Sequence, residues 1–381
     1  MTPLAEIHAG LMSGTSLDGV DGVLIGFDAN GHLIQTLAST SRVMPEGLRQ
    51  QLAELQAPGP DELARAARAA NALADLYADC IHALLQQTGL SARQVRAIGA
   101  HGQTIRHAPE QQYSLQILNA SRLAERTGID VIADLRAADL AADGQGAPLM
   151  PAFHAHVFKD LPDRCGILNL GGIANLSIIE PTLHARRVTG FDTGPANVLL
   201  DAWIEHQMQQ RFDDRGQWAA SGQLIPALLE RLLTEPYFGL AAPKSTGRDL
   251  FNLSWLLGHL PGDHDHAAAD IQATLLALTA ETTARAIRDQ QLRAVYVCGG
   301  GAANPPLLQA IQARVGPQTH IDTTRALGID PQAVEATGFA WLARQRVHHQ
   351  PIALQDITGA RHASILGAWH AAPPGRPAQR G

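Results

Sequence analysis

The residues best placed to do chemistry lie in glycine-rich turns and at one isolated carboxylate. Gly10-Leu-Met-Ser-Gly-Thr-Ser-Leu-Asp-Gly-Val-Asp-Gly22 crowds four glycines, two serines, a threonine and two aspartates into thirteen residues. Glycines let a backbone approach a ligand closely and leave N–H groups free to point at it. Ser13, Thr15 and Ser16 add hydroxyl donors. Asp18 and Asp21 would repel a naked phosphate, so a metal ion is expected between them. An ordinary polar hairpin turn is the competing reading, because short glycine-rich matches are common. Two further clusters, Gly171-Gly172 and Gly299-Gly-Gly301, also follow apolar strand-like runs. Three such clusters along an α/β chain fit a nucleotide cleft between two lobes. The first two would grip phosphates and the third would lie against the nucleoside. There is no G-x-x-x-x-G-K-[ST] and no G-x-G-x-x-G in a strand–helix context, so neither a P-loop nor a nicotinamide site is expected.

Asp192, in Gly190-Phe-Asp-Thr-Gly-Pro195, is the candidate base. A lone carboxylate at a strand end could take a proton from a water or a sugar hydroxyl. Its alternative role is to N-cap the helix leading to Trp203. Glu335 lies on a helix whose Val334, Phe339 and Leu342 face inward, and the pattern alone makes it a solvated face residue. Lys244 and Arg248 could supply positive charge near phosphates, or could be ordinary surface residues. Arg136 and Asp139 could simply pair with each other.

These residues need elements to hold them. Met1 to Phe27 reads as a hairpin around the first turn, and Gly166 to Ser177 repeats the design around the second. That echo suggests an internal duplication of fold. From Asp61 to Gln87 apolar residues recur every three to four positions, including Leu63, Leu73, Tyr77, Ile81 and Leu84, as in a long amphipathic helix. Asp61 would cap its start and Gly89 its end. Val95–Ala100 is a strand running into His101-Gly-Gln-Thr104. Ala141 to Pro151 reads as an active-site loop. Helices are expected over Asp270–Asp289, from Pro305 to about Val315 and over Pro331–Arg346, with a buried strand at Val295–Cys298.

A length of 381 residues predicts two domains. A formal charge of −7 argues against nucleic acid as the main partner. No apolar run approaches a membrane span, and no signal peptide is evident. Three widely spaced cysteines, Cys80, Cys165 and Cys298, point to a reducing, cytoplasmic setting. His154-Ala-His156 and His264-Asp-His266 lack metal-ligand spacing and are expected to serve packing or surface roles.

Taken together, the motifs resemble the anhydro-N-acetylmuramic acid kinase family of the actin/hexokinase/heat-shock-ATPase superfamily. The matching segments are Met12–Asp21, Gly102-Gln-Thr104 after His101, Gly144–Pro148, Asn169–Asn175, Phe191–Pro195, Pro243–Arg248 and Cys298–Gly301, in the family's order. The resemblance implies an α/β, two-lobed, duplicated actin-like ATPase (ribonuclease H-like) fold with a central nucleotide and substrate cleft. Residues 1–135 with 348–372 would form the first lobe, 136–347 the second, and 373–381 a flexible tail.

It implies ATP with Mg2+ as cofactors, held by the turn Gly14, Thr15, Ser16, Leu17, Asp18, Gly19, Val20 and Asp21, with Asp18 on the metal. Gly171, Gly172, Gly299, Gly300 and Gly301 would complete the nucleotide site. Asp192 would be the catalytic base, and Gln103, Thr104, Arg136 and Glu335 would touch an amino sugar. The implied reaction adds water to 1,6-anhydro-N-acetylmuramic acid and phosphorylates O6, in cell-wall recycling, and the resemblance also suggests a homodimer. A simple sugar kinase acting on a free hydroxyl, or a nucleotide-switch binding protein, are the alternative readings. The chain departs from the family's usual residues at Leu118, Asn119, Ala137, Asp143 and Ala196.

Overall fold

A computed structural model describes residues 4–14, 16–159, 161, 163–181, 186–242, 244–260, 262 and 266–374. The chain forms two compact units: residues up to Lys159 together with those from Ala333 onward, and the residues between them.

In the first unit, β1 (Glu6–Met12), β2 (Gly19–Phe27) and β3 (Leu33–Val43) form an antiparallel meander. β4 (Val95–Ala100) lies parallel to β1. β5 (Gln103–Ala108) and β6 (Tyr113–Ile117) make a separate antiparallel pair. β7 (Val131–Ala133) runs parallel to β4, giving the order β3-β2-β1-β4-β7, with Ala368–His370 added outside β7. β1 and β4 are buried along almost their whole length, as central strands covered on both faces must be.

Helix Glu62–Thr88 packs Leu73, Tyr77, Ile81 and Leu84 into this core. Gly89 ends it at φ 69°, as expected. Asp61 does not cap it: its carboxylate instead meets Arg68 at 3.3 Å. Leu63 is exposed rather than inward. Helix Val334–Val347 approaches β1 and β4 so closely that only glycine fits beneath it. A Cβ on Gly10 would stand 1.8 Å from the Ala336 carbonyl oxygen, and one on Gly99 would stand 1.9 Å from that of Phe339.

The observed boundaries therefore differ from those read in the sequence. Residues 136–159 and 333–347 belong to the first unit, because Val334–Val347 is the partner of β1 and β4. The stretch Ala141 to Pro151, read as a loop, is irregular from Ala142 to Leu149 and then enters a helix, Met150–Val157, which also packs on Val334–Val347.

In the second unit, β8 (Cys165–Leu170), β9 (Ile173–Pro181) and β10 (Arg186–Pro195) form another antiparallel meander. β11 (Ala294–Cys298) runs parallel to β8, and β12 (His320–Thr323) parallel to β11. The order β10-β9-β8-β11-β12 repeats that of the first unit, strand for strand and direction for direction. The duplication read from the two hairpins is thus a duplication of the whole sheet. Leu168, Leu176, Val295 and Val297 meet Leu275, Leu278 and Ile287 of helix Ala268–Asp289 in one apolar core. Among the described residues no helix is long and apolar enough to cross a membrane.

Candidate active site

The site residues of the first unit gather around the turn joining β1 to β2. Gly14 sits in open space: a Cβ there would find nothing nearer than the Ser16 hydroxyl at 3.6 Å. Leu17 takes the left-handed φ of 58° while its side chain is buried. Val20 is fully buried in the core, and Gly19 is pressed against β3, with a notional Cβ 2.4 Å from the Arg42 carbonyl oxygen. These two can serve a ligand only through their backbone. Thr15 lies outside the described residues.

His101, in the β4–β5 connection, and Gln103, the first residue of β5, hold the turn's carbonyls. His101 Nδ1 lies 3.3 Å from the Ser13 oxygen, and Gln103 Nε2 donates to the Gly14 oxygen at 3.2 Å. Ser13 itself donates to the Gly102 oxygen at 2.9 Å and meets the Tyr77 hydroxyl at 2.9 Å. Engaging carbonyls from one side leaves the turn's remaining N–H groups for whatever lies on the other.

Burial, reinforced by the positive charge of Arg136, pushes His101 down to about 3. The ring is therefore neutral. Because Nδ1 must donate to Ser13, Nε2 is the acceptor, and Arg136 donates to it at 2.9 Å. Arg136 also donates to the Gly146 oxygen at 2.7 Å. Burial lowers Arg136 to about 10, against the opposing pull of Glu335 and Asp139, so it stays charged at neutral pH. The structure thus brings Gln103, Arg136 and Glu335 into the same unit as the Gly14 turn.

Arg136 feels the charge of Asp139, but the hydrogen bonds of the two side chains go to other partners. Asp139 is fully buried, and accepts from the Gly146 N–H at 2.7 Å and the Thr358 hydroxyl at 2.8 Å, which anchors the 142–149 loop. Thr104 accepts from Gln116 at 3.0 Å and is braced between β5 and β6. Glu335 is half-buried in the first turn of its helix, not on a fully solvated face.

Asp18 is exposed and accepts from the Ser16 hydroxyl at 2.7 Å. Burial pushes Asp21 above the ordinary carboxylate range, opposed by its hydrogen bond to Ser41. Of the two aspartates expected to flank a metal, Asp18 is the open one. Among the described residues no cluster of three or more His, Cys, Asp or Glu could hold an ion. His154 and His156 pack instead, His154 buried beside Phe153 and Phe158, and His156 against Trp341. His264 lies outside the described residues.

In the second unit, Asp192 is in β10 and does not cap the following helix, whose N-cap is Ala196. Its Oδ1 accepts from Asn175 Nδ2 at 2.9 Å and its Oδ2 from the Thr246 N–H at 3.0 Å. Its backbone is held as well: its N–H donates to the Lys244 oxygen at 3.0 Å, and its oxygen accepts from the Tyr237 hydroxyl at 2.7 Å. Burial pushes its carboxyl above the ordinary range, while the Asn175 and Thr246 bonds pull it back. Lys244 points its ammonium at the Tyr237 oxygen, 3.2 Å away, and over the Tyr237 ring, not into open space.

Gly171 and Gly300 are as open as Gly14, with nothing within 3.6 Å of a notional Cβ. Gly299 and Gly301 are packed: a Cβ on Gly299 would lie 2.3 Å from Asn169 Oδ1, and one on Gly301 2.6 Å from Leu170 Cβ. The Gly171 oxygen accepts from Asn197 N–H and the Gly172 oxygen from those of Ala196 and Val198, so the second turn is tied to the next helix.

Sequence reasoning singled out neither His101, Asn175 nor Tyr237 as functional. For Asn175 the signal lay in pairing, since it stands opposite Asp192 across β9 and β10.

Two copies of one five-stranded α/β plan, each with a glycine turn between its first two strands, place the chain among duplicated two-unit α/β proteins. The profile of the family described as anhydro-N-acetylmuramic acid kinase matches residues 6–372, and the chain belongs to that family. It is 50% identical over 381 residues to the anhydro-N-acetylmuramic acid kinase of Burkholderia pseudomallei strain K96243, covering 97% of this chain and 98% of that one. The enzyme of the same name from Paraburkholderia xenovorans strain LB400 is 50% identical over 372 residues, covering 96% and 98%. Among solved structures, the activator of 2-hydroxyisocaproyl-CoA dehydratase from Clostridium difficile, with bound ADPNP, aligns at a TM-score of 0.45 and 14% identity, covering 90% of this chain and 96% of that one.

Proposed function

We propose that the protein is an ATP-dependent kinase that opens 1,6-anhydro-N-acetylmuramic acid with water and phosphorylates O6, giving N-acetylmuramic acid 6-phosphate and ADP for cell-wall recycling. Family membership over nearly the whole chain supports the substrate and the use of ATP. The observation that carries the mechanism is the carboxylate of Asp192, half-buried, with both oxygens hydrogen-bonded and its backbone braced on both sides. An ether oxygen has no proton to lose, so the base acts on the attacking water. Asp192 takes a proton from that water as its oxygen bonds to C1. The C1–O6 bond breaks, and O6 takes the γ-phosphoryl group as the bond to the β-phosphate breaks.

The remaining residues bind and orient. The open backbone at Gly14, Gly171 and Gly300 suits phosphate and nucleotide contact. Arg136, charged and joined to the turn through His101, suits an anionic or polar group of the sugar. Gln103 Oε1 is buried without a hydrogen-bond partner and can accept from a sugar N–H or hydroxyl. Asp18, exposed beside Ser16, would hold Mg2+, which commonly takes one or two carboxylates plus phosphate oxygens and neutralises charge on the transferring group. Cys80, Cys165 and Cys298 are buried and not joined in disulfides, which suits a reducing cytoplasm.

Incubation with the anhydro sugar, ATP and oxygen-18 water tests the reading. Label at C1 of the phosphorylated product is expected. Phosphorylation of a free hydroxyl with the anhydro ring intact would replace it with a simple sugar kinase.

A further inference from the structure

Asp192 ends a row of polar side chains that crosses three strands, with Asn175 at its centre. Asn169 on β8 stands opposite Asn175 on β9, which stands opposite Asp192 on β10, so all three side chains share one face of the sheet. Directly opposed antiparallel residues have Cβ atoms about 5 Å apart, a gap that one amide can span to reach a carboxylate. The pairing of β9 and β10 slips between Asp192 and Gly194, and Gly194 has φ 147°. A Cβ at Gly194 would lie 2.8 Å from the Phe238 ring, so the irregularity that aims Asp192 depends on glycine.

We propose that Asn175 is the positioning residue for Asp192, working with the Lys244–Arg248 loop. The Asn175 amide pins one carboxylate oxygen and the Thr246 N–H pins the other. Pinned at both oxygens, the carboxylate cannot rotate about its Cβ–Cγ bond. It keeps one free acceptor direction on each oxygen, and one of these receives the proton of the attacking water. Both contacts favour the ionised form, which a base requires. The other groups that bear on Asp192 are Tyr237, whose hydroxyl bonds its carbonyl, and Lys244, whose carbonyl takes its N–H. The Thr246 contact is a backbone amide, so Asn175 is the half of the clamp that substitution can remove.

This role rests on Asp192 acting as the base, and the test separates the two. Asn175→Ala, Asn175→Asp and Asp192→Asn are assayed with anhydro sugar and ATP across pH, alongside nucleotide affinity and thermal stability. Asn175→Ala should lower kcat about ten- to hundred-fold. It should also move the acid limb of kcat/KM up by about one pH unit, with nucleotide affinity unchanged. Asn175→Asp, which sets a second carboxylate beside the first, should move that limb further. An acid limb that stays in place in Asn175→Ala, while Asp192→Asn is inactive, overturns the positioning role and leaves the base. Lost nucleotide affinity in step with lost rate would reduce Asn175 to a structural residue. Turnover retained in Asp192→Asn would remove the base itself.

Discussion

Asp192→Asn tests the mechanism most directly, because the structure separates its effects on stability and on rate. The carboxylate is a double acceptor, bonded to Asn175 Nδ2 at 2.9 Å and to the Thr246 N–H at 3.0 Å. An amide has one acceptor oxygen, so its NH2 group must face one of those two donors. The lost bond and the opposed donors cost about 1–3 kcal/mol. Replacing a charge whose burial is already unfavourable with a neutral amide offsets part of that cost. Net destabilisation should therefore stay within about 2 kcal/mol, and the variant should fold. The rate should fall by about 10²- to 10⁴-fold, the usual contribution of a positioned general base. Steady-state turnover with the anhydro sugar, set beside calorimetric nucleotide binding, reads both quantities. Turnover within about tenfold of the parent, with folding and nucleotide affinity intact, would refute the assignment.

Three other outcomes follow from the first unit. Gly99→Ala should destabilise the protein by about 1–3 kcal/mol or more in urea titration, because its methyl must displace the Phe339 carbonyl 1.9 Å away; unchanged stability would disprove the close approach. Gln103→Met removes the bond to Gly14 and the unpaired buried oxygen. It should raise the KM for the sugar about tenfold while changing stability by only about 1 kcal/mol, and an unchanged KM would remove Gln103 from the sugar site. Glu6 is held at about 2: burial pushes it up, but hydrogen bonds from His8 and His348 and the charge of Arg344 outweigh that. A depressed carboxyl contributes stability above its unfolded value of 4.5, and that stability is lost as pH falls toward about 2. Glu6→Gln should therefore lower the melting temperature at pH 7, with the gap to the parent closing between about pH 4.5 and 2; a gap independent of pH would show that the charge is not responsible.

Particular residues show how far the chain could be read unaided. The turns at Gly14, Gly171 and Gly299 were legible because glycine clusters after apolar strands have few other uses. Helix Glu62–Thr88 was legible from its period, and its end at Gly89 from the left-handed cap. The start also falls where it was read, with Asp61 at the N-cap position, but Asp61 makes no capping bond and Leu63 is exposed. Asp143 takes a φ of 64°, a conformation in which glycine is at ease, and nothing in the local sequence announced it. Composition did not reveal that Gly14, Gly171 and Gly300 face open space while Gly19, Gly299 and Gly301 are filled by neighbours.

Residue order alone determined the kinds of element, their hairpin repeat and the isolated acid Asp192, because each depends on short-range spacing. Tertiary structure decided what depends on distant partners. It assigned helix Val334–Val347 to the first unit, as its fit depends on Gly10 and Gly99 more than two hundred residues away. It also decided that Asn175 and Thr246 hold Asp192, since strand register and loop path set which donors reach a carboxylate.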